Sequence, residues 1–166
     1  MKTLYIVRHA KSSWDYPELS DHERPLLEKG KKRTKLVAGY LQENNIRIDR
    51  IISSHAVRAF ETTKIIAAEI NYPEDEIRIS EDIYYGDADS LFYHLFKLPE
   101  KIQSVMLVGH NPTFTYFANS FLKKEIEWLP TSGIVCIEFK TDKWEKLHNA
   151  KKTVKFVITP KMMHNN

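Results

Sequence analysis

The stretch Ser104-Val105-Met106-Leu107-Val108-Gly109 is an unbroken apolar run closed by glycine, and His110-Asn111-Pro112 follows at once. A run of this length without polar alternation is the mark of a strand covered on both faces. Working outward, a similar strand opens the chain at Thr3 to Val7. Another lies at Arg50 to Ser53, and a short one near Ile77 to Ser80. Between them the apolar period becomes helical. Leu36, Val37, Tyr40 and Leu41 share a face of a helix spanning about Glu28 to Asn44. Phe60, Thr63, Ile66, Ala67 and Ile70 form the inward stripe of a second helix, which Tyr72-Pro73 ends. A third runs from about Asp89 to Leu98 and a fourth from Thr113 to Leu122, and strands at Ile134 to Phe139 and Val154 to Ile158 complete the pattern. This alternation predicts a three-layer α/β/α sandwich built on a mostly parallel central sheet.

The chain has 166 residues, a length that suits one domain, expected over 1–160, with residues 161–166 expected to form a frayed tail. Its net charge of +3, from 25 basic and 22 acidic residues, is too even to point to a nucleic-acid partner. No apolar stretch approaches the roughly 20 residues of a membrane helix. The opening Met1 to Val7 lacks the pattern of a secretion signal, and the single Cys136 cannot form an internal disulfide and reads as core. A cytoplasmic protein is expected. The histidines form no spaced metal set, so no metal and no cofactor are expected. Lys29, Lys31, Lys32, Arg33 and Lys35 read as the wet face of a helix, the other reading being a docking patch for an acidic partner.

In open α/β sheets, ligands bind beyond the carboxyl ends of the strands. Arg8 and His9 follow the first strand, Ser54, His55 and Arg58 the second, Glu81 and Asp82 the short one, and Gly109, His110 and Asn111 the buried one. Two arginines, several histidines and two carboxylates are thereby delivered to one edge. That set suits a phosphoryl group. Arginine meets phosphate oxygens two at a time and stays charged. A neutral imidazole can attack phosphorus, and a second, protonated one can stabilise charge on the equatorial oxygens. A carboxylic acid can protonate the leaving group.

Arg8-His9-Ala10 resembles the Arg-His-Gly signature of the histidine phosphatase superfamily, which includes the phosphoglycerate mutases. Ser53-Ser54-His55-Ala56-Val57-Arg58-Ala59-Phe60-Glu61-Thr62-Thr63 is similar to its second block, and Val108-Gly109-His110-Asn111-Pro112 to its third. Leu19 to Leu26 and the short chain resemble the SixA-type branch of phosphohistidine phosphatases. The resemblance implies a phosphoglycerate mutase-like fold, His9 as nucleophile, and Arg8, Arg58 and His110 as the rest of the phosphate pocket. It further implies phosphate-proximal roles for Arg24 and Asp21, with Ser12 counted among the phosphate-binding candidates, and Glu81 near the general-acid position with Asp82 beside it. No metal is implied.

Two departures matter. Ala10 replaces the commoner glycine, and Asp15 stands where mutases often carry asparagine. Asp15 can turn away, pair with Arg24 or act as an acid. The tract from Gly86 to Ser104 is too short for the helical lid of the mutases, so an open site is expected. Trp14, Tyr16, Tyr84 and Tyr85 read equally as pocket walls and as loop anchors. The resulting expectation is a metal-independent phosphatase working through a phosphohistidine intermediate at His9, of the SixA type, acting on a phosphorylated protein. The alternatives are a phosphatase of a small phosphate ester and a non-catalytic module that binds phosphorylated partners. Neither nucleic acid nor membrane is expected as a partner.

Overall fold

A computed structural model describes residues 1–163. The six strands are β1 (Lys2–Arg8), β2 (Arg50–Ser54), β3 (Arg78–Ser80), β4 (Ser104–Gly109), β5 (Ile134–Lys140) and β6 (Lys151–Ile158). They form one sheet in the order β3-β2-β4-β1-β5-β6. β3, β2, β4 and β1 run parallel, while β5 is antiparallel to both β1 and β6. The helices are α1 (Glu28–Glu43), α2 (Val57–Glu69), α3 (Asp82–Tyr85), α4 (Ala88–Phe96) and α5 (Thr113–Asn119).

Strand alternation sends neighbouring side chains to opposite faces. Leu4, Ile6, Val105 and Leu107 meet Leu91 and Leu95 of α4 and Phe114 and Phe117 of α5. Tyr5, Val7, Met106 and Val108 meet Val37 and Leu41 of α1 and Ala59 and Ile66 of α2. The sheet is thus the middle of three layers, as the alternating pattern predicted. Each fully buried Leu or Ile contributes roughly 1.5–3 kcal/mol, which explains why the central strands carry no polar break. Cys136 is a free, buried thiol within β5.

The expected fourth helix, α5, stops at Asn119 rather than Leu122, and larger differences from expectation lie elsewhere. A single turn, α3, follows β3 without having been anticipated. Four residues are too few to show a helical period, and only Ile83 of this turn is buried. β6 begins at Lys151 rather than Val154, because its first residues are exposed on an edge strand and carry charge rather than apolar side chains. The expected frayed tail begins instead as a 3-10 turn, Pro160–Met163, with Met163 packed against the core on the α1 side. Residues 164–166, including His164, lie outside the described residues.

The register of the parallel strands levels the functional edge. Arg8 pairs with Gly109, Ser53 with Val108, and Ser54 with Ser80. The backbone N–H of His9 continues the β1–β4 pairing by donating to Gly109 O at 3.0 Å. His9 and His110 therefore leave adjacent strands at the same height.

Candidate active site

His9 is 7% exposed, and its Nδ1 lies 2.7 Å from the carbonyl oxygen of Ala10. That oxygen can only accept, so Nδ1 is the donor and the lone pair resides on Nε2. Ala10 is pinned in turn, because its N–H donates to Thr62 Oγ1 at 2.8 Å. Desolvation pushes the His9 pKa down to about 3 against the Ala10 hydrogen bond, with the charges of Arg58, Arg8 and Arg24 adding to the fall. The imidazole is neutral at physiological pH, as a nucleophile requires.

His110 lies 5.1 Å from His9, ring centre to ring centre, and its Nε2 is 2.7 Å from Ser54 Oγ. Burial first, then His9 and Arg58, press its pKa down to about 2. The protonated second imidazole expected from sequence is therefore neutral in the free pocket, because its ring is buried and Arg58 stands nearby. An arriving phosphate dianion offsets the Arg58 charge and favours the charged form.

Three guanidinium groups converge on the histidines. Arg8 donates through Nη1 to Leu129 O at 3.1 Å and lies 5.9 Å from the Trp128 ring. Burial and the Arg58 charge lower its pKa from the usual arginine value. Arg58, at the start of α2, donates from Nη1 to Asp21 O at 2.7 Å and from Nη2 to Asp21 Oδ2 at 3.0 Å. Arg24 donates from Nε to Asp21 Oδ1 at 3.2 Å and from Nη1 to Ser12 Oγ at 2.8 Å and Ser13 O at 3.1 Å. The Trp14 ring stacks 3.5 Å from the Arg24 guanidinium.

Asp21 is the hinge of this arrangement, since one carboxylate holds two arginines and accepts from the Tyr84 hydroxyl. Desolvation raises its pKa, but the hydrogen bonds from Tyr84, Arg58 and Arg24 and the Arg58 charge outweigh it and hold the carboxyl well below the usual range. Asp21 is thus an anion throughout the physiological range and has no proton to give. Arg8 Nε, Arg58 Nε and His110 Nδ1 are buried without a hydrogen-bond partner among the described residues.

Arg8, His9, Ser12, Arg24, Arg58 and His110 all line one pocket of about 610 Å³. Glu81 is not brought into it. The residue is exposed at the start of α3, and its backbone oxygen, rather than its carboxylate, makes the contacts, accepting from Tyr84 N and Tyr85 N. Asp82 also turns away and lies 3.7 Å from His94 Nε2. Tyr84, later in the same turn, packs beside the histidines instead, with its ring centre 5.1 Å from that of His110. Asp15 lines the pocket and does not pair with Arg24, which Asp21 has already engaged. A cavity of similar size, about 620 Å³, lies where α1 and α2 end, far from these groups, among Asn45, Arg47, Asp49 and Tyr72. Among the described residues no three His, Cys, Asp or Glu side chains cluster as a metal site, and no helix is long and apolar enough to cross a membrane.

Sequence reasoning missed the supporting residues Ser54, Thr62 and Tyr84 as partners of His110, of the Ala10 backbone and of Asp21. For Ser54 and Thr62 a signal existed, since both lie in the block that carries Arg58. The assembled site offers a neutral imidazole with a free Nε2, three cations and a second imidazole around one concavity, which suits phosphoryl transfer.

The histidine phosphatase superfamily (branch 1) model matches residues 4–95. An uncharacterized protein of Mycobacterium leprae (strain TN) is 28% identical over 153 residues, 85% of this chain and 91% of its own length. Phosphohistidine phosphatase SixA of Escherichia coli (strain K12) is 28% identical over 114 residues, 68% of this chain and 70% of its own. The solved structure of the protein histidine phosphatase SixA complexed with tungstate shares the fold, with a TM-score of 0.83 at 22% identity over 97% of this chain and 99% of that one.

Proposed function

Since the chain belongs to the histidine phosphatase superfamily and is a phosphatase, we propose that it removes phosphoryl groups from phosphohistidine on proteins, carrying them on His9. The observation that carries this reading is His9 itself, held neutral with Nδ1 fixed as donor to Ala10 O. Nε2 attacks phosphorus as the bond to the substrate nitrogen breaks. Arg8, Arg58, Arg24 and His110 hold the phosphoryl oxygens, with Ser12 steadying Arg24. Water then attacks the phosphohistidine, the bond to His9 breaks, and phosphate leaves.

The leaving group decides between substrates. A substrate imidazole protonated on its other nitrogen departs as neutral imidazole and needs no acid from the enzyme. An alkoxide does need one. Glu81 and Asp82 point away and Asp21 is held ionised. This supports phosphohistidine, as does the likeness to SixA of Escherichia coli. The small-ester reading has one observation in its favour, the Asp15 side chain at the pocket wall.

The test is hydrolysis of an aryl phosphate in excess chelator, followed by comparison of a phosphohistidine protein with a panel of small esters. His9→Ala should lose about a thousandfold or more in rate, and wild type should yield a phosphoenzyme that is acid-labile and base-stable. Full activity of His9→Ala would sink the nucleophile assignment. A rate on one small ester equal to or above that on phosphohistidine would overturn the substrate assignment.

A further inference from the structure

The basic residues of α1 do not act as one face. Lys31 pairs with Glu28 at 3.1 Å, and with Lys32 and Lys35 it borders a surface that also holds Glu61, Glu69 and Glu74. Charge there is balanced. Lys29 and Arg33, one turn apart, lie on another side of the helix together with Lys11. The contact is built into the backbone. Leu27 N donates to Lys11 O at 2.9 Å, and Gly30 packs so closely that a Cβ would lie 2.4 Å from that oxygen. The charge and direct contact of Lys29, with Arg33 adding, lower the pKa of Lys11.

All three side chains are exposed, and none belongs to an ion pair among the described residues. Lys11 and Arg33 line the same pocket as His9, where Asp15 is the one carboxylate. The phosphoryl group is already matched by Arg8, Arg24 and Arg58. Three like charges held together beyond that need are repulsive unless an anion comes between them. The concavity also continues past the rim. Arg33 and Thr131 border an adjoining groove of about 410 Å³ walled by Leu36, Pro130 and Pro160, with Lys161 at its side.

We propose that Lys11, Lys29 and Arg33 form a second anion site that holds acidic side chains flanking the phosphorylated residue of a protein substrate, whose chain continues into the groove beside Leu36 and Pro130. The proposal rests on the phosphohistidine reading for its substrate. A compact second phosphate on a small ester would end at the rim and leave the apolar groove unused, which is why a polypeptide is the favoured source of the anion.

Two phosphohistidine peptides of equal length test this, one with aspartates and one with asparagines beside the phosphorylated residue. Wild type should favour the acidic peptide by about tenfold in kcat/KM at low salt, mostly through KM, with the preference shrinking at high salt. Lys29→Glu/Arg33→Glu should abolish or invert the preference, and Lys29→Ser/Arg33→Ser should reduce it toward unity. The ratio between peptides is read on one enzyme sample, so partial misfolding does not imitate the result. Equal turnover of both peptides by wild type, or an unchanged ratio in both variants, overturns the anion site alone. Failure to cleave either peptide while aryl phosphate is still hydrolysed overturns the phosphohistidine reading and this one with it.

Discussion

Asp21→Asn separates holding the clamp from binding the anion. Asp21 accepts from Arg58 Nη2 at 3.0 Å, from Arg24 Nε at 3.2 Å and from the Tyr84 hydroxyl, while its backbone oxygen holds Arg58 Nη1 at 2.7 Å. Asparagine keeps the backbone acceptor but leaves one side-chain acceptor for three donors, and its amide N–H₂ faces them. A hydrogen bond to a charged group is worth about 1.5–3 kcal/mol when buried. The Asp21 side chain is 49% exposed, so screening discounts each. A net loss of about 1–2 kcal/mol at pH 7 remains, or about 2–8 °C in Tm for a chain of this size. Arg58 retains one of its anchors, and looser positioning should cost about 10- to 100-fold in kcat/KM. The pocket meanwhile gains one net positive charge, so tungstate measured by calorimetry should bind at least as tightly as to wild type. The sign of the pH effect follows from the depressed pKa of Asp21. Its contribution is present above the unfolded carboxyl value near 3.9 and disappears as pH falls through the folded value, so the Tm gap between variant and wild type should close below about pH 4. A Tm within about 1 °C of wild type at pH 7 together with kcat/KM within about twofold would refute the clamp.

Three further outcomes are expected. His9 and His110 sit at about 3 and about 2 in the folded state, below the ordinary imidazole value. The unfolded chain therefore takes up protons that the folded chain refuses, and the ligand-free Tm should fall as pH drops from about 6.5 toward 4, with a shallower slope in His110→Asn; a Tm that rises on acidification contradicts this. Gly30→Ala drives a methyl against Lys11 O, where 2.4 Å is available, and should cost about 1–3 kcal/mol in a chemical denaturation curve, an unchanged midpoint being the opposing result. Asp15→Asn should leave the phosphohistidine rate within about threefold while lowering an alkyl phosphate rate by about tenfold or more. An equal fall on both would make Asp15 a general contributor rather than a leaving-group acid.

The central strands and the main helices were legible because burial imposes a period on the letters, and the four residues found at the ends of three of those strands were legible with them. Arg8, His9, Arg58 and His110 meet because parallel strands end level, which is a consequence of register and not of any local pattern. Glu81 and Asp82 were less legible for the converse reason. Glu81, Asp82 and Tyr84 fall within one turn, and which of them faces the histidines depends on how α3 packs through Ile83. Adjacent tyrosines show the same ambiguity, for Tyr85 is 71% exposed while Tyr84 is half-buried against His110 and Asp21. Asp21 lies 37 residues from Arg58, so their pairing left no local trace. The basic run of α1 read as one patch although its members divide between two surfaces.

The arginines do two things at once, and this explains how the pocket manages without a dedicated base. A nucleophilic histidine must be deprotonated before the substrate arrives, and a phosphate site must be cationic. In most settings a nearby carboxylate would orient the imidazole and would raise its pKa. Here a neutral carbonyl, Ala10 O, orients His9, and Arg58, Arg8 and Arg24 lower its pKa in company with burial. Asp21, the carboxylate paired with Arg24 and Arg58, positions them and does not itself line the pocket. Moving that negative charge to the His9 side would raise the pKa of His9 and repel an incoming phosphate together. Under the proposed mechanism, the placement of Asp21 is therefore as much a condition as the presence of His9.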